Sequence, residues 1–175
     1  MLTQLFNELK RELDIVYSIS IDRSQVVDLD SSTNEKFSRH WIVHLPDGIL
    51  FRNNRQAGIF IKSFLFRLLK EKDDGNLQSR GHAVLADYLF VGSEKQSYLE
   101  SSSSIIDTTV YTRNRLFRLL GSKKRKKNTE ACLRIAKENT FPFPDEFDNS
   151  KFYLPAKKSM LPKKVSQSLS HSSYQ

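Results

Sequence analysis

Between residues 55 and 71 the side chains Ile59, Ile61, Phe64, Leu65, Phe66, Leu68 and Leu69 form a wide apolar band at helical spacing. Lys62, Arg67, Lys70 and Lys72 fall outside it. That periodicity predicts a helix over 55–71, stopped by Asp73-Asp74-Gly75-Asn76. A second amphipathic helix is predicted over 2–15, where Leu2, Leu5, Phe6, Leu9 and Leu13 are spaced for one face. Their packing role outweighs a partner role.

Between the helices the pattern changes to that of strands. Val26-Val27-Asp28-Leu29 reads as a short strand, 30–34 as a polar turn, and 38–45 as β-rich through Trp41, Ile42 and Val43. Pro46-Asp47-Gly48 is a turn signal, with Ile49-Leu50-Phe51 expected to return as a second strand of a hairpin. From about 73 to 104 the signal is weak and a loop insertion is expected. Strand character returns at 105–106, 116–120 and 131–136. The last residues, 151–175, are rich in Ser, Lys and Pro and are expected to be a disordered tail. The order of elements gives an α+β fold class, with a mixed or antiparallel sheet and flanking helices in residues 1–150.

Composition narrows the partners. Twenty-eight Lys and Arg against 20 Asp and Glu leave a net charge of +8, and the cations cluster, which favours a polyanionic partner. The single cysteine, Cys132, excludes an intrachain disulfide and any multi-cysteine zinc site, and points to a reducing compartment. No run reaches the ~18 apolar residues of a membrane span. The N-terminal segment, with Glu8, Glu12 and Asp14, has neither a secretory nor a transit pattern.

Two segments carry chemistry. In Lys36-Phe37-Ser38-Arg39-His40, read as a strand, alternation puts Lys36, Ser38 and His40 on one face. A cation, a hydroxyl and an imidazole in a row suit polyphosphate. About seventy residues on, Ile105 to Leu119 offers one carboxylate, Asp107, then Arg113, Arg115 and Arg118 with no acid among them. A carboxylate able to hold a divalent metal beside guanidinium groups able to hold phosphate is what nucleotide chemistry requires. Lys123-Lys124-Arg125-Lys126-Lys127 is a run of five cations that reads as a nucleic-acid backbone contact, a nuclear localisation signal or a solvated loop. Tyr111 and Phe117 could stack on bases, but core packing is the stronger reading. His44 reads as structural.

These segments resemble motifs of the archaeo-eukaryotic primase superfamily, specifically of the eukaryotic primase-polymerases. Ser38-Arg39-His40 resembles the Ser-x-His motif and Ile106-Asp107 the hydrophobic-Asp motif. The run from Val110 to Arg118 is the more specific match, and the resemblance extends from about residue 2 to 137. It implies a partial modified RRM-like catalytic module that adds nucleotides on a DNA template, in DNA replication and damage tolerance. It implies that Ser38, His40, Arg118 and Lys124 contact the triphosphate, with Lys36 adding charge. Asp107 would be a catalytic ligand for Mg²⁺ or Mn²⁺. Arg113, Arg115, Lys123, Arg125, Lys126 and Lys127 would lie against nucleic acid. Nucleoside triphosphates, template and primer DNA, and single-stranded-DNA-binding proteins are the implied partners, in the nucleus or mitochondrion.

The resemblance is incomplete. No Asp-x-Glu precedes Ser38, although that motif supplies two of three metal ligands in the family, and the C-terminal Cys/His zinc module is absent. Asp28-Leu29-Asp30 has the i, i+2 spacing of a substitute pair but matches a different stretch of the family. The chain is thus expected to be an internal, inactive piece of a primase-polymerase, with metal bound weakly. The alternative is a non-catalytic, basic single-stranded nucleic-acid-binding or regulatory protein that keeps the nucleotide pocket.

Overall fold

The computed structural model describes residues 1–90, 104–123 and 131–144. It has an α+β architecture: α1 (Leu2–Tyr17), β1 (Val26–Asp30), β2 (Arg39–Val43), α2 (Asn54–Asp73), α3 (Asn76–Ser79), α4 (Ala83–Leu89) and β3 (Arg134–Ile135). The three strands form an antiparallel sheet in the order β2-β1-β3.

Both long helices occur where periodicity predicts them. α1 buries Leu5, Phe6, Leu9 and Leu13, and α2 buries Phe60, Phe64, Leu65 and Leu68. Asn53 caps α2, its side chain accepting from the Gln56 N–H at 3.0 Å, and so satisfies a donor that the first turn leaves orphaned. β1 is central, and its alternation divides the core in two. Val26 faces the helices, in a cluster with Phe6, Leu13, Phe64, Leu68, Leu77 and Leu85. Val27 and Leu29 face the other way and pack with Leu133, Ile135 and the half-buried Leu120, Phe141 and Phe143.

Burial of β1 on both sides also encloses Asp28, which is 0% exposed. Arg39 on β2 meets its carboxylate in a fork, Nε to Oδ1 at 3.0 Å and Nη2 to Oδ2 at 2.8 Å, and Arg23 Nη2 adds a third bond at 3.1 Å. The Arg23 guanidinium lies over the rings of Phe6 and Trp41, 5.1 and 4.9 Å from their centroids. Asp28 and Asp30 do share a strand face, but as a metal-ligand pair they are spent. Asp28 is closed off by two arginines, and Asp30 accepts from the Ser32 N–H at 2.6 Å.

A second charged group ties the helices together. Buried Glu8 of α1 meets Arg67 Nη1 at 3.2 Å, Arg80 Nε at 3.2 Å and His82 Nδ1 at 2.8 Å, while Arg67 also holds Glu12. Glu71 accepts from Arg11 at 2.9 Å and Arg67 at 2.7 Å. Burial alone would raise the Glu71 carboxyl, but the hydrogen bonds from Arg11, Arg80 and Arg67 outweigh it and hold the group down to about 2.

Four sequence expectations are corrected. The hairpin lies one strand earlier than expected: β1 and β2 pair, and the turn is closed by Thr33 and Lys36, whose N–H groups bond each other's carbonyls at 2.8 and 3.3 Å. Residues 49–51 form no strand, because Pro46–Gly48 makes a 3₁₀ turn and Phe51 then stacks near Tyr17 and Phe60, centroids 6.0 and 5.4 Å away. The expected loop after residue 73 contains α3 and α4, which bury Leu77, Leu85, Ala86 and Leu89 completely. Residues 105–106 and 116–120 are not strands. Within the expected strand at 131–136, β3 forms. The tail expected at 151–175 lies outside the described residues.

Candidate functional site

The hairpin register creates the first constellation. Leu29 pairs with His40, and two positions on the Ser31 N–H donates to the Ser38 carbonyl at 2.9 Å. Ser31, Ser38 and His40 therefore share the sheet face opposite the helices. Arg118 reaches this face from a distant segment. Its Nη2 donates to Ser31 Oγ at 2.7 Å and lies 3.3 Å from His40 Nε2. Ser31 Oγ in turn lies 3.0 Å from Ser38 Oγ and 3.5 Å from His40 Nε2. His40 Nε2 is thus within reach of both the Arg118 guanidinium and the Ser31 hydroxyl. Arg118 Nη1 is covered and has no hydrogen-bond partner among the described residues. An unmet buried donor costs about 1–3 kcal/mol, so this fork is held with one arm lacking an acceptor.

The second constellation surrounds Asp107. This exposed residue caps the 3₁₀ turn Thr108–Tyr111, its Oδ1 accepting from the Thr109 N–H at 2.9 Å and Thr109 Oγ1 at 2.6 Å. The Thr109 hydroxyl bond is the main cause of a lowered Asp107 carboxyl. Burial opposes it, while the Thr109 N–H and the charges of Arg115 and Lys36 reinforce it. Lys36, in the hairpin turn, is thus close enough to act on Asp107. Arg115 sits beside the same turn, with Nη2 donating to Thr109 Oγ1 at 3.1 Å. The turn docks on the start of α2, where Asn54 Nδ2 donates to the Thr112 carbonyl at 2.9 Å and Tyr111 lies against Gly58.

Ser38, His40 and Arg118 are therefore brought together, and Asp107 and Arg115 meet at the Thr109 hydroxyl. Arg113 and Lys123 are exposed, the latter in an isolated bridge with Cys132. Lys124, Arg125, Lys126 and Lys127 lie outside the described residues. Tyr111 is half-buried, as its core reading requires, but Phe117 is 71% exposed between Leu116 at 93% and Leu119 at 80%. The core reading of Phe117 is corrected: in this segment, which forms no strand, only Arg118 and Leu120 are half-buried, and Leu116, Phe117 and Leu119 stay in solvent. His44 has a structural setting, its ring 5.0 Å from that of Phe141.

Ser31 was missed by sequence reasoning. The signal lay in the hairpin: a turn placed at 33–36 puts Ser31 opposite Ser38. As a donor set for Mg²⁺ or Mn²⁺, the described residues do not suffice. Among them, no group of three or more His, Cys, Asp or Glu could hold a metal ion, and one oxygen of Asp107 is taken up by Thr109. No helix among the described residues is long and apolar enough to cross a membrane.

No family model matches the chain. It is 32% identical to the DNA-directed primase/polymerase protein of Danio rerio, over 81% of this chain and 29% of that protein. It is 29% identical to the Mus musculus protein of the same name, over 81% and 31%, and 28% identical to the Homo sapiens one, over 88% and 36%. The chain spans about a third of the length of these curated relatives. Over most of its own sequence the chain is thus similar to the DNA-directed primase/polymerase proteins.

Proposed function

We propose that this chain forms the triphosphate-holding part of a DNA-directed primase/polymerase. Ser38, His40 and Arg118 would bind the phosphates of an incoming nucleotide, and Lys36 and Lys124 would add charge. Arg113, Arg115, Lys123, Arg125, Lys126 and Lys127 would bear on template or primer backbone. The observation that carries this reading is the meeting of Arg118 with Ser31 and His40 across 87 and 78 residues of sequence. A guanidinium, a hydroxyl and an imidazole on one face form a donor set for a polyanion. A phosphate oxygen that reached Arg118 Nη1 would also remove the cost of its missing acceptor.

Asp107 would contribute one carboxylate to Mg²⁺ or Mn²⁺. Affinity rises with ligand count and charge, so a lone carboxylate binds such ions weakly. Primer extension by these 175 residues alone is accordingly expected to be poor or absent. The second reading, a non-catalytic single-stranded nucleic-acid binder, draws on the exposed arginines at 113 and 115.

Nucleoside triphosphate binding to the purified chain tests the site. Arg118→Ala should weaken it about tenfold, the scale of one charge-assisted hydrogen bond. Equal affinity in the two proteins overturns the assignment of Arg118, and no binding by the wild type overturns the site. A primer-extension assay with Mg²⁺ and with Mn²⁺ separates the two readings: robust synthesis excludes the non-catalytic one.

A further inference from the structure

Ser31 is 5% exposed, too enclosed to touch a ligand broadly, yet its hydroxyl joins every member of the first constellation. A serine hydroxyl has one hydrogen to donate and two acceptor positions. Arg118 Nη2 is donor-only, so at 2.7 Å it must occupy an acceptor position of Ser31. The Ser31 hydrogen is then free to point at Ser38 Oγ, 3.0 Å away. Once Ser38 accepts that bond, its own hydrogen is released to point elsewhere.

We propose that Ser31 is a positioning residue that turns Ser38 into a donor for a bound phosphate. The chain of hydrogen bonds runs in one direction: Arg118 N–H to Ser31, Ser31 O–H to Ser38, Ser38 O–H to the anion. Bonds in such a series polarise one another, and the cationic head of this one strengthens each step. Ser31 also fixes the Nη2 arm of Arg118, so the guanidinium enters the site already oriented. The sequence between them supplies the geometry, because the hairpin turn at Thr33 and Lys36 holds Ser31 opposite Ser38. The inference rests on the phosphate reading above and adds the direction of the hydrogen bonds and the residue that sets it.

The test uses inorganic triphosphate as the probe, titrated calorimetrically into the full chain. Ser31→Ala, Ser38→Ala and the double variant are compared, with Ser31→Thr to restore the hydroxyl and Ser31→Cys to keep the size with a weak donor. Ser31→Ala is expected to weaken triphosphate about tenfold, and Ser31→Thr to recover most of that. Ser31→Cys should behave like Ser31→Ala, which keeps the question answerable if the alanine variant fails to fold. The double variant should lose little more than either single one, since both remove the same relay. Single-stranded DNA affinity of Ser31→Ala should stay near wild type while triphosphate affinity falls, which separates positioning from a general loss of structure. If the wild type binds triphosphate and Ser31→Ala and Ser31→Cys bind it equally well, the inference is overturned while the phosphate reading stands. Strictly additive losses overturn the relay. A wild type that binds no triphosphate overturns the phosphate reading, and this inference falls with it.

Discussion

A carboxylate in a central strand is costly unless cations meet it, and Asp28 is met by two. Removing one partner of such a buried pair leaves the other charge uncompensated, at about 3–5 kcal/mol. Asp28→Ala should therefore lower the unfolding free energy by about that much, read from a urea titration, because Arg23 would lose its carboxylate and Arg39 would keep only the exposed Glu138. Asp107 behaves differently, since it is exposed and its stabilising role is that of a cap. Asn caps about as well as Asp, so Asp107→Asn should shift stability by less than about 0.5 kcal/mol, whereas Asp107→Ala should cost about 1 kcal/mol. Melting curves of the two variants check this, and the Asn variant is then a clean tool for removing the charge alone.

Among the elements, the packing of α2 on the Asp107 turn leaves no room for a methyl group. A Cβ at Gly58 would stand 2.8 Å from Tyr111 Cβ, and neither atom lies at the end of a flexible chain. Gly58→Ala should thus push the turn off α2 and cost about 1–3 kcal/mol, although alanine favours helix. Faster amide exchange at Thr112, whose N–H closes the turn on the Thr109 carbonyl, would accompany it. The basic segment allows a separate prediction. Residues 113–127 contain Arg113, Arg115, Arg118, Lys123, Lys124, Arg125, Lys126 and Lys127 and no acid. Neutralising Lys123 to Lys127 should lower single-stranded DNA affinity alike for all sequences. It should also flatten the salt dependence, by roughly 0.7 in log–log slope for each phosphate that is no longer neutralised. Titrations across salt concentration measure both effects.

How far these elements could be read from sequence depended on what defines each. α1 and α2 announced themselves because a long apolar stripe has a period. α3 and α4 did not, being short pieces between Gly75 and Gly81 and beyond, whose leucines acquire meaning only in the shared helical core. The hairpin was misplaced because Pro46-Asp47-Gly48 carries turn residues, while the real turn uses Thr33 to Lys36 without glycine or proline. Segment 116–120 looked like a strand because it is apolar, but the ladder runs elsewhere and Leu116, Phe117 and Leu119 stay in solvent. The same logic applies to the site. Ser38, His40 and Arg118 were legible as motifs, whereas Ser31 required the register and the closure of Asp28 required both neighbouring strands.

Over the whole molecule, acid should act through the charged group that joins α1, α2 and the α3–α4 connection. The Glu71 carboxyl sits near 2 in the fold against an ordinary 4.5. Above pH about 4.5 it is ionised folded or unfolded, and its contribution is complete. As pH falls from there toward about 2, the unfolded chain takes up the proton first and that contribution is lost. The midpoint of thermal unfolding should therefore drop steeply over this interval, and Glu71→Gln should start lower at neutral pH and drop less. The division of the core by β1 has a further consequence, in time rather than in space. The helical half draws on residues 1–90, which lie near one another along the chain, whereas the opposite face waits for residues near 120 and 133–143 to return. Closing the longer loop carries the greater entropy and is the slower event. Arg118 belongs to the late half and Ser38 and His40 to the early one, so the pocket is assembled only when refolding ends. A nascent chain would carry its helices and hairpin well before it could hold a phosphate.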